Sequence, residues 1–375
     1  MVRIVRYLDY QLILTLHLRD GPCDQQRQDG GGGEFNMHHK INNGKVVKND
    51  YYPANWKKMA VTPLEEKEKS KNTIVTAYFE ISKSKHTKSE YDTWMKNMLS
   101  LEDAMVIFTS PSLVSKIESF RSHAMNKTII IGMKISDTMM VSKYSMEFWK
   151  NQFDMDPEKA LHKSYELFWI WLSKSWFVTQ AIEMNPFSSD VYVWSDIGCF
   201  RDTKYNGKKW LQKTNIIPDS AILFAAWTQP QKQYLHWVEK THYLPFSNSG
   251  GMFLAGAQFA GYVKTWKMFH ASFLKIIEGY VVRGLFLGDD QTVMQSTCLQ
   301  NPSLCAFVTP DKVNGDKWFG LEDALHSGGK LYYRDNALLF WLPSSRIINH
   351  TKRRGLMYTS ERRTRTSFTI MGETS

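Results

Sequence analysis

Three carboxylates and a lysine stand where residue type and spacing suit chemistry on an anionic ligand. Asp196 follows the apolar run 190–194 directly, in the order Ser195, Asp196, Ile197, Gly198, Cys199. A carboxylate just past a buried strand sits where open α/β sheets gather their ligands. There it can hold Mn²⁺ or Mg²⁺ against the oxygens of a departing diphosphate. Gly198, two residues on, lets backbone approach a ligand closely. The same aspartate would equally cap the turn that ends the strand. Asp289 and Asp290 form a second constellation, followed by Gln291 at the start of an expected helix. One carboxylate can take a proton from a hydroxyl while the other orients it, and Gln291 adds a hydrogen bond. Acidic residues also suit a helix N-terminus through the macrodipole alone. Gly250 and Gly251, upstream, make a flexible turn able to admit an acceptor. Lys174 is a charge inside a nearly all-apolar stretch; it either reaches a diphosphate or snorkels along its aliphatic stem to solvent. The basic loop of Lys83, Lys85, His86 and Lys88 either meets phosphates or is solvated. His326, in the segment His-Ser-Gly-Gly-Lys, is a candidate second metal ligand beside Asp196.

These residues need strands and helices to hold them. The run 73–81 (T-I-V-T-A-Y-F-E-I) has the β-branched and aromatic content of a buried strand. A helix is expected around 91–99, a strand over 104–109, a helix from Pro111 to about Arg121, and a strand over 128–131. Strands and helices alternating at this spacing predict parallel βαβ units. Asp156 and Pro157 read as a helix N-cap and first turn, opening one long buried helix that ends at Asn185-Pro186. Strands are expected over 190–194 and 221–227. Gly250-Gly251 leads into a long aromatic-rich helix ending near Arg283, and 306–308 is the final core strand.

The chain has 375 residues, 43% of them apolar and 14% aromatic, so it can bury a substantial core. Its net charge of +10 suits anionic partners. Much of that charge is peripheral: beyond residue 349 six cations face two carboxylates. No nucleic-acid-binding motif is present, so no nucleic-acid partner is expected. Four cysteines are too few for a disulfide framework, although Cys298 and Cys305 flank a short loop and could pair. Sequons stand at Asn126 and Asn349. Arg3 and Arg6 precede an apolar stretch, 10–18, that has the form of a signal segment but is interrupted by His17 and too short for a membrane span. A soluble chain is expected, in the cytoplasm or the lumen of the secretory pathway. The domain reading is a linker-like region over 1–72, one domain over 73–348 and a basic tail over 349–375.

Seven segments, in order, are similar to the HtrL/YibB family of glycosyltransferase-like proteins. They are T-I-V-T-A-Y-F (73–79), M-V-I-F-T-S (105–110), the Trp-rich helix with Lys174, N-P-F (185–187), V-W-S-D-I-G-C-F-R-D (193–202), S-G-G-M-F-L-A-G (249–256) and G-D-D-Q-T-V (288–293). The resemblance implies a glycosyltransferase A-like α/β fold with a mostly parallel, Rossmann-like sheet and flanking helices. It implies a nucleotide-diphosphate sugar donor and a hydroxyl-bearing glycan, lipid or protein acceptor. Donor contacts would fall on Thr76, Ala77, Tyr78, Lys174, Asp196, Gly198 and Arg201, acceptor contacts on Gly250, Gly251 and Gln291, and catalysis on Asp290 and Asp289. The wider superfamily carries Asp-x-Asp at the donor, whereas this chain has Asp196-Ile197-Gly198. Metal held by Asp196 with help from elsewhere, metal-independent transfer, and a non-catalytic sugar- or nucleotide-binding protein on the same fold all remain open.

Overall fold

The computed structural model describes residues 41–42, 45–46, 67–226, 243–244, 254–310 and 316–332. The chain forms two compact units, Met1–Tyr52 and Pro53–Ser375. In the first, Ile41–Asn42 pairs antiparallel with Lys45–Val46. The candidate site lies in the second. Gly250, Gly251, Asn349, the signal-like segment and the basic tail lie outside the described residues.

The β-branched runs become the strands of one eight-stranded sheet: β1 (Asn72–Tyr78), β2 (Ala104–Thr109), β3 (Thr128–Gly132), β4 (Val191–Ser195), β5 (Ile222–Ala226), β6 (Leu254–Tyr262), β7 (Cys305–Pro310) and β8 (Gly329–Tyr332). Their order across the sheet is β8-β7-β5-β6-β4-β1-β2-β3. β1 pairs parallel with both β2 and β4, β2 with β3, and β5 with β7. Only β6 and β8 run against the rest. This is the mostly parallel sheet with flanking helices that was expected. Alternate residues feed opposite cores: Val75, Val106, Ile129 and Trp194 pack on one face, Ile74, Met105, Ile130 and Val193 on the other. A sheet covered on both sides explains why these strands read as continuous apolar runs.

Among the described residues the helices of seven residues or more are α1 (Lys88–Leu99), α2 (Val114–Arg121), α3 (Met146–Met155), α4 (Glu166–Leu172), α5 (Lys174–Met184), α6 (Val263–Val282), α7 (Asp290–Gln300) and α8 (Gly320–Ser327). Two expectations are corrected. The single helix from Asp156 to Asn185 is three pieces: a turn at Lys159–His162, then α4, then α5. Lys163 in the left-handed region ends the first (φ 62°) and Ser173 breaks α4 from α5 (φ −94°, ψ 0°). Asp156 is not the N-cap of that helix; it closes α3, and its carboxylate accepts from the Glu158 amide at 2.8 Å. The second correction is β6, which occupies the stretch read only as the approach to a helix. Its Gly- and Ala-rich sequence has little β-propensity, but a central strand under a close-packed helix needs small residues. A Cβ on Gly261 would come within 2.4 Å of Ile222 Cδ1. The strand over 305–310 is present, but β8 follows it as an antiparallel neighbour. Cys298 and Cys305 are bonded to each other.

Candidate functional site

The carboxyl ends of β1 and β4 come together at one edge of the sheet, and the reversed β6 brings its own beginning there. The N-termini of α5 and α7 point at the same place. Between these elements opens a cavity of about 470 Å³. Ala77, Tyr78, Lys174, Asp196, Gly198, Arg201, Asp289, Asp290 and Gln291 all line it. Residues separated by much of the chain therefore share one site. Thr76 is buried within β1 and does not line the cavity.

Lys174 is the first residue of α5, and the break at Ser173 turns its side chain onto the cavity floor. Its ammonium donates to Asp196 Oδ2 and to the Gly256 carbonyl, both at 3.0 Å, and ion-pairs with Asp290 Oδ2 at 2.8 Å. Its side chain is only 3% exposed, so the expectation that it snorkels to solvent is overturned. Burial alone would lower the lysine pKa. Asp196 and Asp290 outweigh it and hold the group above its ordinary value. Asp196 keeps a third of its side chain exposed and accepts from the indole of Trp194 at 2.8 Å. Asp290 has no such outlet. Burial, opposed by Lys174 and reinforced by Asp289, pushes it up to about 7. The two carboxylates that share Lys174 are thus unlike: Asp196 is partly open to solvent, whereas Asp290 is buried and raised.

Asp289 caps α7. Its carboxylate accepts from the amides of Gln291 at 3.3 Å and Thr292 at 3.1 Å, and from the Thr292 hydroxyl. Gln291 donates from Nε2 to the Leu254 carbonyl at 3.2 Å, tying α7 to β6.

At the mouth, Arg201 lies between the rings of Trp94 and Phe319, at 4.6 and 4.9 Å from their centroids. Such stacking fixes the guanidinium plane; Nε donates to the Gly198 carbonyl at 3.4 Å, and the terminal nitrogens are left to bind. Gly198 packs close to the same indole: a Cβ there would stand 3.2 Å from Trp94. Lys85 and His86 line the same end. Burial, followed by the charge of Arg201, lowers the His86 pKa. At the other end His162 donates from Nδ1 to the buried Asp156 at 2.8 Å, with Trp171 edge-on to its ring at 5.0 Å.

Sequence reasoning missed His162, Asp156, Tyr91, Trp94, Trp171 and Phe319. Asp156 was visible only as a cap, and the aromatics were indistinguishable from core residues. His326 does not line the cavity. Its Nδ1 lies 3.1 Å from the Trp210 carbonyl and its ring packs on Tyr205 at 4.7 Å, so it is not a metal partner of Asp196.

The donor set does not fit a divalent cation. Asp196 and Asp290 already share an ammonium, and among the described residues no three His, Cys, Asp or Glu side chains are grouped as a metal site. The cavity has buried carboxylates on its floor, aromatic walls, and cations at its mouth.

Comparison with known proteins matches residues 70–326 to a family described as bacterial protein of unknown function (HtrL_YibB). Protein HtrL of Escherichia coli (strain K12) is 23% identical over 278 residues, which cover 68% of this chain and 92% of that protein. Among solved structures, mouse xyloside xylosyltransferase 1 in its apo form is similar at 11% identity with a TM-score of 0.33. The match covers 63% of this chain and 84% of that one. No helix among the described residues is long and apolar enough to cross a membrane.

Proposed function

Because this chain belongs to the HtrL_YibB family, and because its cavity joins Asp196 to Asp290 through Lys174, we propose that it moves a sugar from a nucleotide-diphosphate donor to a hydroxyl acceptor. The acceptor hydroxyl belongs to a glycan, lipid or protein. The observation that carries this reading is the placement of Asp290, buried and paired with Lys174, on the floor of an aromatic-walled cavity whose mouth is cationic; burial pushes its carboxyl up to about 7. A general base works best when its pKa lies near the working pH.

In the reaction, Asp290 takes the proton of the acceptor hydroxyl as its oxygen bonds to the anomeric carbon. The bond from that carbon to the diphosphate breaks, and the nucleoside diphosphate leaves with the electron pair. Asp289 touches none of these atoms; by capping α7 it fixes where Asp290 stands. Asp196 and Gly198 border the diphosphate, with Arg201 above it, and Gln291 hydrogen-bonds a sugar hydroxyl.

The test is a thermal-shift panel of nucleotide sugars followed by transfer assays on two variants. Asp290→Asn is expected to reduce transfer about 10²–10⁴-fold with nucleotide affinity nearly unchanged, because proton removal matters in the transition state. Asp196→Asn, which removes a negative charge beside the diphosphate and leaves Lys174 in place, is expected to tighten donor binding. Ligand binding with no transfer by the wild-type chain would favour the non-catalytic binding protein instead. Near-normal transfer by Asp290→Asn would require another base.

A further inference from the structure

The two carboxylates on which a divalent cation could be built, Asp196 and Asp290, are already bridged by a cation of the chain itself. Lys174 arrives from the broken end of α5 with its ammonium surrounded by three oxygens, Asp196 Oδ2, Gly256 O and Asp290 Oδ2, at 3.0, 3.0 and 2.8 Å. The side chain is 3% exposed. A metal ion bridging these oxygens would meet a full positive charge at contact distance. Asp196 is further committed through Oδ1 to the Trp194 indole. The carboxylate of Asp289 is equally engaged, by the amides and hydroxyl of the first turn of α7. Positive charge for an anionic ligand is available elsewhere. Arg201 and Lys85 line the cavity mouth, and neither has an ion pair among the described residues, whereas Lys88 is paired with Glu80 at 2.7 Å.

We propose that Lys174 occupies the place of a divalent cation in this site, and that phosphate charge is met by Arg201 and Lys85 rather than by Mn²⁺ or Mg²⁺. The part concerning Arg201 and Lys85 rests on the diphosphate ligand of the proposed function; the exclusion of metal by Lys174 does not.

The experiment has two arms on the full chain. In the first, Mn²⁺ is titrated by electron paramagnetic resonance, which reads the free ion. The wild-type chain is expected to leave the free signal undiminished at submillimolar Mn²⁺. Lys174→Met, which leaves the carboxylates unneutralised, is expected to bind one Mn²⁺ and to lose it when Asp196→Asn is added. Stoichiometric binding by the wild type that Asp196→Asn abolishes would overturn the proposal, and so would a folded Lys174→Met that binds none. If Lys174→Met fails to fold, the wild-type and Asp196→Asn titrations alone decide. In the second arm inorganic pyrophosphate is titrated calorimetrically in EDTA. Binding is expected without metal and about 10-fold weaker in Arg201→Gln, the effect of losing a charge-assisted contact. Binding that appears only on adding Mg²⁺ would overturn it. No binding in either condition would refute the diphosphate reading and the role given to Arg201, and leave metal exclusion to be judged on the Mn²⁺ titration.

Discussion

Asp289 and Asp290 are adjacent and chemically identical, yet the backbone gives them opposite surroundings. Asp289 spends its oxygens on the first turn of α7, and Asp290 turns inward to Lys174. Replacing Asp289 by Ala removes the cap, so a loss of about 1–2 kcal/mol in urea unfolding is expected, with Asn retaining most of it. A merely solvent-facing Asp289 would show no difference between the two variants. That the pair opens a helix was legible in the sequence, as was Asp196 at the end of a strand. Which of the pair caps and which faces the cavity was not, because the answer depends on the partner that α5 delivers. His162 was illegible for a similar reason. Its Asp156 partner is six residues away along an irregular turn, a spacing that no regular element marks.

The elements that build the site do so by breaking the patterns that make elements readable. Strand β1 and its parallel neighbours follow their apolar runs closely, and α6 follows its aromatic periodicity. Helices α4 and α5 were read as one because hydrophobic spacing persists across Ser173, while the break itself is a backbone event without a proline or glycine to announce it. Strand β6 was hidden by its small residues, and those residues are what let α7 approach. A Cβ on Gly256 would stand 2.7 Å from Gln291 Cγ and 3.6 Å from Asp290 Oδ2. Gly256→Ala is therefore expected to cost about 1–3 kcal/mol through overpacking. Since the clash is with one named side chain, Gly256→Ala combined with Gln291→Ala should lose less than the sum of the two single losses. Strict additivity in denaturation would show that the strand tolerates the methyl by another route.

At the scale of the molecule, one sheet draws its eight strands from Asn72–Tyr78 through Gly329–Tyr332, so titration of a single enclosed group is felt as global stability. His270 on α6 packs against Ser175 on α5, its Nδ1 2.9 Å from the serine hydroxyl. Burial, with a smaller contribution from Lys143, lowers it to about 4 from an ordinary value of 6.5. The folded chain therefore prefers the neutral ring, and the unfolded chain takes up the proton first. The stabilisation is complete above pH 6.5 and is lost progressively as pH falls from 6.5 toward 4, by about 2–3 kcal/mol in all. Urea midpoints measured across that window should fall less steeply in His270→Gln than in the wild type. Equal slopes would place the acid-sensitive group elsewhere. Nothing in the sequence marks His270 among the aromatics of α6, because its neighbour Ser175 comes from α5.

The upward shift of Asp290 to about 7 couples whatever binds in the cavity to the proton activity of the medium. An arriving anion raises the free energy of the charged carboxylate, so the bound chain holds more hydrogen ion than the free one at neutral pH. Calorimetry of pyrophosphate binding at pH 7 should then give heats that change with the ionisation enthalpy of the buffer, with a slope corresponding to uptake of a fraction of a proton. The slope should be larger in the wild type than in Asp290→Asn, whose remaining slope reports the titration of pyrophosphate itself. Association would act as a small buffer, and equal slopes in the two chains would deny Asp290 that part.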